Sequence, residues 1–416
     1  MAENLKKAYK TIMEDHLPPK VEVRFRYEDH DTTLVYEKVS WIVNGVEKGL
    51  RYGENPGQEA ALYRLAKGQL RLGNVETIEP GKSLVTRVEL VQAGKHPGKI
   101  NLTDVDNALN ILRYLTQQPT VAIMKHNNPC GVAKGKSLEE AYRKANMADR
   151  VAAFGGAVVL NRPMDKPTAE AIAENYAEVV AAQEFEEGTI DILSGRKNLR
   201  ILRIPAMADL DSYAWDRVID YKSLMDGGLV MQTSYLPMAR KPEDLKPAET
   251  VKKHRTYRIE RLPTDREMND MLFGWKVEAG VTSNSVIYVK NGVTVGIGTG
   301  EQDRVGVAKI ARDKAYTKLA DRICWERHHT PMNLMTDEDA IAAVEHEVAE
   351  QHGGLLGAAM ISDAFFPFRD GVEVGIDEGI TAVLQPGGSI NDHEVIEACI
   401  EMNVTMMFTG QRSFKH

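Results

Sequence analysis

Apolar residues recur along the chain in three patterns. Residues 21–50 alternate, as VEVRFRYE and then TTLVYEKVSWIVNGVEKG. A period of two predicts antiparallel β-ribbons, turning at residues 29–31 and at Asn44-Gly45. Residues 98–115, GKINLTDVDNALNILRYL, carry Val105, Leu109, Ile111 and Leu112 at spacings that suit an amphipathic helix. Unbroken apolar runs at residues 121–124 and 153–160, with others near 178–181 and 201–205, predict buried strands. Helices are expected between them, and that alternation predicts an α/β fold. A short helix is expected over residues 1–20, ending at Pro18-Pro19.

The pattern weakens over residues 206–265, which are more polar and carry Pro and Lys. The domain reading is therefore a helix and β-ribbon at 1–50, a first α/β domain at 51–235, a linker or crossover at 236–264, and a second α/β domain at 265–416. In the last, Asn291-Gly292 between alternating runs predicts a hairpin. Gly296, Gly298 and Gly300 follow it. Their spacing is not that of a dinucleotide fingerprint, and the strand before them belongs to a hairpin, so that reading is rejected. A helix is expected over residues 301–320, with Arg304 in its first turn.

Candidate chemistry concentrates at residues 121–136, VAIMKHNNPCGVAKGK. A strand ends in Lys125 and His126, turn formers Asn127, Asn128 and Pro129 follow, and Ser137 with Glu140 fits a helix-starting capping box. A lysine and a histidine on a loop held by rigid elements can move protons. The same residues also fit a solvated loop. Arg51 heads an irregular segment, residues 51–64, that could hold a carboxylate or phosphate or be a plain surface turn. Phe365, Phe366 and Phe368 stand among Asp363, Arg369 and Asp370, either to bind a flat heterocycle or to plug two domains together. The glycine turn in ITAVLQPGGSIND could hold an anion. The tail QRSFKH would ordinarily fray.

Composition narrows the classes. Of 416 residues 43% are hydrophobic and 27% charged, and the net charge of −8 comes without a Lys/Arg-rich run, so nucleic acid is not the expected partner. No stretch is apolar enough to span a bilayer, and MAENLKKAYK lacks the apolar core of a signal peptide. Cys130, Cys324 and Cys399 are scattered and odd in number, which predicts free thiols in a reducing cytoplasm. No Cys-x-x-Cys, His-Glu-x-x-His, Walker A or nucleophile elbow occurs, and His328-His329 reads as an exposed polar pair.

Taken together, RYGENPGQ, INLTDVDNALN, KHNNPCG, AFGG, SNSVIYVKNG, SDAFFPFRD and RSFKH resemble AICAR transformylase, the formyltransferase half of the bifunctional purine-biosynthesis enzyme PurH. The resemblance runs from Arg51 to His416 in the family's order. It implies tandem cytidine-deaminase-like three-layer α/β domains without zinc, in a homodimer with sites at the interface. It implies formyl transfer from the co-substrate 10-formyltetrahydrofolate to the amine of AICAR, the aminoimidazole carboxamide ribonucleotide. Only fifty residues precede RYG, so no cyclohydrolase domain is expected here and a separate protein is expected to close the ring. The implied catalytic residues are Lys125, His126 and Asn284. The implied AICAR contacts are Arg51, Tyr52, Gly53, Asn101, Glu178, Arg412, Phe414 and His416; relatives often have Asp where Glu178 stands. Gly155, Arg304, Val305, Phe365 and Asp370 match the folate pocket. A potassium ion is a further candidate ligand, near Thr282, Ser283 and Asp363. Two other classes remain: a catalytically silent nucleotide-binding regulator, and a formate- and ATP-dependent ligase making the same product.

Overall fold

The computed structural model describes residues 7–416. The chain divides into two compact units, one up to residue 109 with 155–236, the other 110–154 with 237–416. Each is mixed α and β, as the alternation of patterns predicts.

In the first unit the ribbons form where period-two alternation puts them. Lys20–Arg26 pairs antiparallel with Asp31–Val39. Trp41–Val43 pairs with Val46–Lys48 across Asn44 and Gly45, whose φ values of 55° and 74° make the left-handed turn such a hairpin needs. Leu62–Lys67 adds a strand beside Asp31–Val39, so only the front of the segment read as irregular is irregular. The helix expected over residues 1–20 does not extend past residue 10, and residues 1–6 lie outside the described residues. A second sheet runs Ala157–Leu160, Val179–Ala182, Arg200–Arg203, Glu89–Gln92. Its first three strands are parallel, and the first two are buried along their length, which is why they read as continuous apolar runs.

The second unit holds eight neighbouring strands: Lys246–Pro247, Thr405–Phe408, Ala382–Gln385, Ala359–Ser362, Val286–Lys290, Val293–Gly298, Asn128–Lys134 and Thr120–Lys125. Helices Asp265–Glu278 and Arg304–His328 pack on them. Gly296 and Gly298 face the latter helix. A Cβ on either would lie 2.3 Å from a helix carbonyl, of Ala311 and Val307 respectively, so these glycines serve close packing. The segment read as a linker is built into this unit. Lys246–Pro247 is an edge strand on Thr405–Phe408, and Glu249–Lys252 with Arg255–Arg258 is a hairpin.

The main departure is at residues 125–131. The chain does not loop from the Lys-His pair into a helix. His126 and Asn127 take φ values of 52° and 61°, and the chain returns at once as Asn128–Lys134, antiparallel to Thr120–Lys125. Helix Leu138–Ala148 then starts where the capping pair puts it: Ser137 accepts from the Glu140 amide, and the Glu140 carboxylate from the Lys136 amide. Among the described residues no helix is long and apolar enough to cross a membrane, and all three cysteines are free.

Candidate active site

The hairpin turn settles how neighbours can share a site. Successive residues on a strand face opposite ways. Lys125 is the last strand residue and His126 the first turn residue, and the left-handed turn brings both onto one cavity of about 260 Å³ in the second unit. His126 is exposed and Lys125 half-buried. Lys125 Nζ donates to the Phe154 carbonyl at 2.8 Å, which fixes its long side chain.

The rest of the wall comes from residues to which the sequence reading gave no role in the site. Lys314 and Lys318 stand one turn apart on helix Arg304–His328, and Cys130 and Thr299 line the cavity with them. Lys318 pairs with Asp149 at 3.1 Å, and Asp149 also caps the short helix Arg150–Ala153. The spacing of Lys314 and Lys318 was a usable signal; their destination was not.

Asn128, read only as a turn former, ties the hairpin to the asparagine loop. Its Oδ1 accepts from the Thr282 amide at 2.9 Å and from Thr299 Oγ1 at 3.1 Å. Asn284 lies two residues beyond Thr282, after a cis Ser283-Asn284 peptide. Its amide side chain is held at both ends, donating to the Gln302 carbonyl at 3.0 Å and accepting from Arg304 Nη2 at 2.9 Å. Arg304 is 8% exposed; its Nη1 donates to the Ser285 carbonyl, Ser362 Oγ and Asp363. Arg304 thus holds Asn284 through Nη2 while its Nη1 binds the Ser285, Ser362 and Asp363 oxygens. Val305, next on the helix, is half-buried.

Beneath this loop lies a group of buried oxygens. Glu278 and Asp363 are fully buried, and Ser285 links them: its hydroxyl donates to Glu278 at 2.8 Å, and its carbonyl accepts from the Asp363 amide at 3.4 Å. Burial pushes the Glu278 carboxyl well above the usual range, and the nearby Asp363 charge adds to this; Ser285 and Arg304 oppose it. Glu278 Oε1, Asp363 Oδ2 and Ser413 Oγ have no hydrogen-bond partner.

The aromatic segment separates into two roles. Phe366 is fully buried, while Phe365 and Phe368 are 42% and 55% exposed. Asp370 is exposed, in the first turn of helix Arg369–Ile376, so the cluster is a loop running into a helix. The glycine turn at 386–388 is not open to an anion in the way expected. The Gly388 and Ser389 amides already donate to Asp392, at 2.7 and 3.1 Å. The tail does not fray. Ser413 donates its amide to the Asp363 carbonyl and is buried, and Arg412 stacks over Phe414 with 4.7 Å to the ring centre. Phe414 in turn meets His416 edge-on at 5.8 Å.

The remaining assigned residues lie in the first unit. Arg51, Tyr52, Gly53 and Asn101 are all buried and gather at the start of helix Lys99–Leu112. Arg51 lies over the Tyr52 ring at 4.5 Å, the Tyr52 carbonyl accepts from the Lys99 amide, and Asn101 accepts from the Gly98 amide at 3.1 Å. Asn101 is thus inside the helix and reaches back to cap it. Glu178 pairs with Arg200 at 3.2 Å. Gly155, at φ 76°, sits beside Tyr176, and a Cβ there would meet the ring at 3.4 Å and Glu178 Cγ at 3.9 Å. Among the described residues no group of three or more His, Cys, Asp and Glu side chains could hold a metal ion.

A family model described as AICARFT/IMPCHase bienzyme matches residues 7–314. The bifunctional purine biosynthesis protein PurH of Chlorobaculum parvum is 37% identical over 371 residues, covering 89% of this chain and 59% of its own length. PurH of Aquifex aeolicus is 37% identical over 367 residues, with 88% and 59% covered. PurH of Chlorobium chlorochromatii is 35% identical over 412 residues, with 96% and 67% covered. The chain spans about 59% of the length of the first two relatives.

Proposed function

Because the chain belongs to the AICARFT/IMPCHase bienzyme family, we propose that these residues carry the formyl transfer from 10-formyltetrahydrofolate to AICAR, giving FAICAR and tetrahydrofolate. Ring closure to IMP belongs, in this reading, to a segment or protein outside them. The fold reading that goes with it is a tandem of zinc-free cytidine-deaminase-like domains.

The observation that carries the proposal is the cavity onto which Lys125 and His126 both open. The AICAR amine is a weak nucleophile, since its lone pair is delocalised into the ring and the carboxamide. As its nitrogen attacks the formyl carbon, one C–N bond forms and the folate N–C bond breaks. His126 takes the amine proton, a task suited to an imidazole. Lys125 stabilises charge on the formyl oxygen and returns a proton to the departing folate nitrogen. Asn284, held at both ends by Gln302 and Arg304, orients the transferred group. Arg51, Tyr52, Gly53, Asn101, Glu178, Arg412, Phe414 and His416 bind AICAR in this reading. Gly155, Arg304, Val305, Phe365 and Asp370 line the folate pocket in this reading, and Arg304 also holds Asn284.

In this reading a monovalent cation sits at the same loop, held by Thr282, Ser283 and Asp363. Asp363 Oδ2 is buried without a hydrogen-bond partner, an oxygen of the kind such an ion takes. Such an ion would offset buried carboxylate charge beside Thr282 and Ser283. A homodimer completes the reading, and sedimentation would test it.

The deciding experiment is turnover with AICAR and 10-formyltetrahydrofolate, followed by absorbance, with no other protein and no ATP present. FAICAR should form and IMP should not. An inert mixture would leave the silent regulator, and a rate that needs formate and ATP would point to the ligase.

A further inference from the structure

In the first unit, the residues assigned to the nucleotide are held from behind by groups to which no role has yet been given. Arg200 is 1% exposed, at the first position of strand Arg200–Arg203. Its Nη1 lies 3.2 Å from Glu178 Oε2 and 3.4 Å from the Glu178 carbonyl. Its Nη2 reaches the His96 carbonyl at 3.4 Å. The Glu178 side chain is 35% exposed against 1% for its partner, so the acid is anchored at its back and open at its front.

The turn at residues 95–97 makes the second link. The Lys95 carbonyl accepts from Arg51 Nη1 at 3.3 Å, the His96 carbonyl from Arg200, and the Pro97 carbonyl from the Arg51 amide at 2.9 Å. Three successive carbonyls thus hold two arginines, around a His96 with φ of 60°. His96 Nε2 lies 2.6 Å from the Gly49 carbonyl, which can only accept, so the proton sits on Nε2. Nδ1 is then a bare lone pair, and it is buried without a partner. Burial lowers the His96 pKa, with the Gly49 bond opposing and the charges of Lys48, Arg51 and Arg200 adding to the fall. His96 therefore adds no third positive charge beside the two arginines.

We infer that Arg200 is a positioning residue for the nucleotide: gripping Glu178 on one side and the 95–97 turn on the other, it fixes where Arg51 and Glu178 stand relative to each other. The inference rests on the proposal that those two residues contact AICAR. The chemistry asks for such a device. A ribonucleotide monophosphate presents an anionic phosphate, which a guanidinium binds, and a ribose diol, which donates to a carboxylate. Their separation is set by the ligand, so the site must hold its two groups at a matching separation. Arg200 does this without touching the ligand.

The test is Arg200→Lys, which keeps the charge and loses the planar fork. AICAR and folate binding are measured separately by calorimetry, beside steady-state kinetics and a thermal melt. The expected result is a KM for AICAR raised about tenfold, with kcat at saturating AICAR retained and the folate KM within about twofold. Adding Glu178→Gln to Arg200→Lys should cost less than the sum of the two single changes, since one acts through the other. Unchanged AICAR affinity in a folded Arg200→Lys protein overturns the inference, as does equal weakening of both ligands, the mark of a merely structural loss. If Arg200→Lys does not fold, Glu178→Gln in the wild-type background decides: it should raise the AICAR KM selectively, and an unchanged KM removes what Arg200 is said to position. A wild-type chain that binds no AICAR overturns the proposed function and this inference with it; wild-type binding with an indifferent Arg200→Lys overturns the inference alone.

Discussion

His126 is placed where a histidine is not the easiest residue to place. At φ 52° it takes a left-handed conformation that glycine adopts freely and other residues at a cost of about 1–2 kcal/mol. Glycine there would fold at least as well, so the imidazole has to be explained by what it does. His126→Gly and Lys125→Ala should each lower kcat by on the order of 10²-fold or more, with smaller effects on AICAR binding. A thermal melt of His126→Gly should be no lower than wild type, and near-normal kcat in both variants would remove the pair from the chemistry. The aromatic segment gives a second prediction at this scale. Phe365 is half-exposed beside a fully buried Phe366, so Phe365→Ala can remove a stacking surface without opening the core. It and Asp370→Ala should weaken folate binding by about 1–3 kcal/mol and AICAR binding much less. Separate titrations check this, and equal losses would make the loop a plug. Lys125 and His126 stand out in the sequence because chemistry shows in residue type, and both line one cavity. Asn128 was not: its bonds run to residues 154 and 171 positions away, and nothing local announces them.

At the scale of elements, sequence reading worked where a local rule suffices. Asn291-Gly292 makes its hairpin, with φ values of 54° and 71°. The equivalent turn at His126-Asn127 was missed because neither residue is glycine and Pro129 follows, which argues against a strand. Edge strand Lys246–Pro247 was missed because a two-residue strand has no period, and its partners, Met407 and Phe408, stand at the far end of the chain. Helix Asp265–Glu278 shows what a local rule can weigh. Thr264 and Glu267 form a reciprocal capping box, and Arg261 donates to Glu267 at 2.8 and 3.0 Å. Burial alone would raise the Glu267 pKa. The bonds from Arg261, Thr381 and Thr264 outweigh it and hold the group at about 2. A carboxylate whose pKa is lower folded than unfolded adds stability that is full above its unfolded value, near ~4.3, and is lost as pH falls toward the folded one. The contribution is on the order of 3 kcal/mol, since each tenfold change in proton affinity is worth about 1.4 kcal/mol. Glu267→Gln should therefore destabilise the protein at pH 7 and flatten its loss of stability between pH ~4.5 and ~2. Urea melts across that range check it; parallel curves for the two proteins would mean that Glu267 does not titrate there.

At the scale of the whole molecule, the tail is the element whose behaviour least resembles what its position along the chain suggests. A polar stretch such as QRSFKH ordinarily frays and tolerates deletion. In the second unit it is instead drawn across the ends of strands Ala382–Gln385 and Ala359–Ser362. The Thr409 amide donates to the Gln385 carbonyl, the Ser413 amide to the Asp363 carbonyl, and the Ser283 amide to the Lys415 carbonyl. Lys415 answers with its own amide to Ser283 Oγ at 3.1 Å and its Nζ to the Gly280 carbonyl at 3.1 Å. The segment thus clamps the loop that carries Asn284 while presenting Arg412, which is exposed and stacked on Phe414. Deleting residues 412–416 removes two things at once. The arginine's charge-assisted bonds to a phosphate, about 1.5–3 kcal/mol each, go with it, which predicts a fall in kcat/KM for AICAR of roughly tenfold or more. The clamp on residues 280–283 goes as well, and with it bonds of about 1 kcal/mol each, so the melting temperature should drop by several degrees. Arg412→Ala separates the two: it leaves every clamp bond in place, so it should show the kinetic loss and keep the wild-type melt. If the truncated protein loses stability and activity while Arg412→Ala keeps both, the tail acts by bracing the Asn284 loop and not by holding the nucleotide.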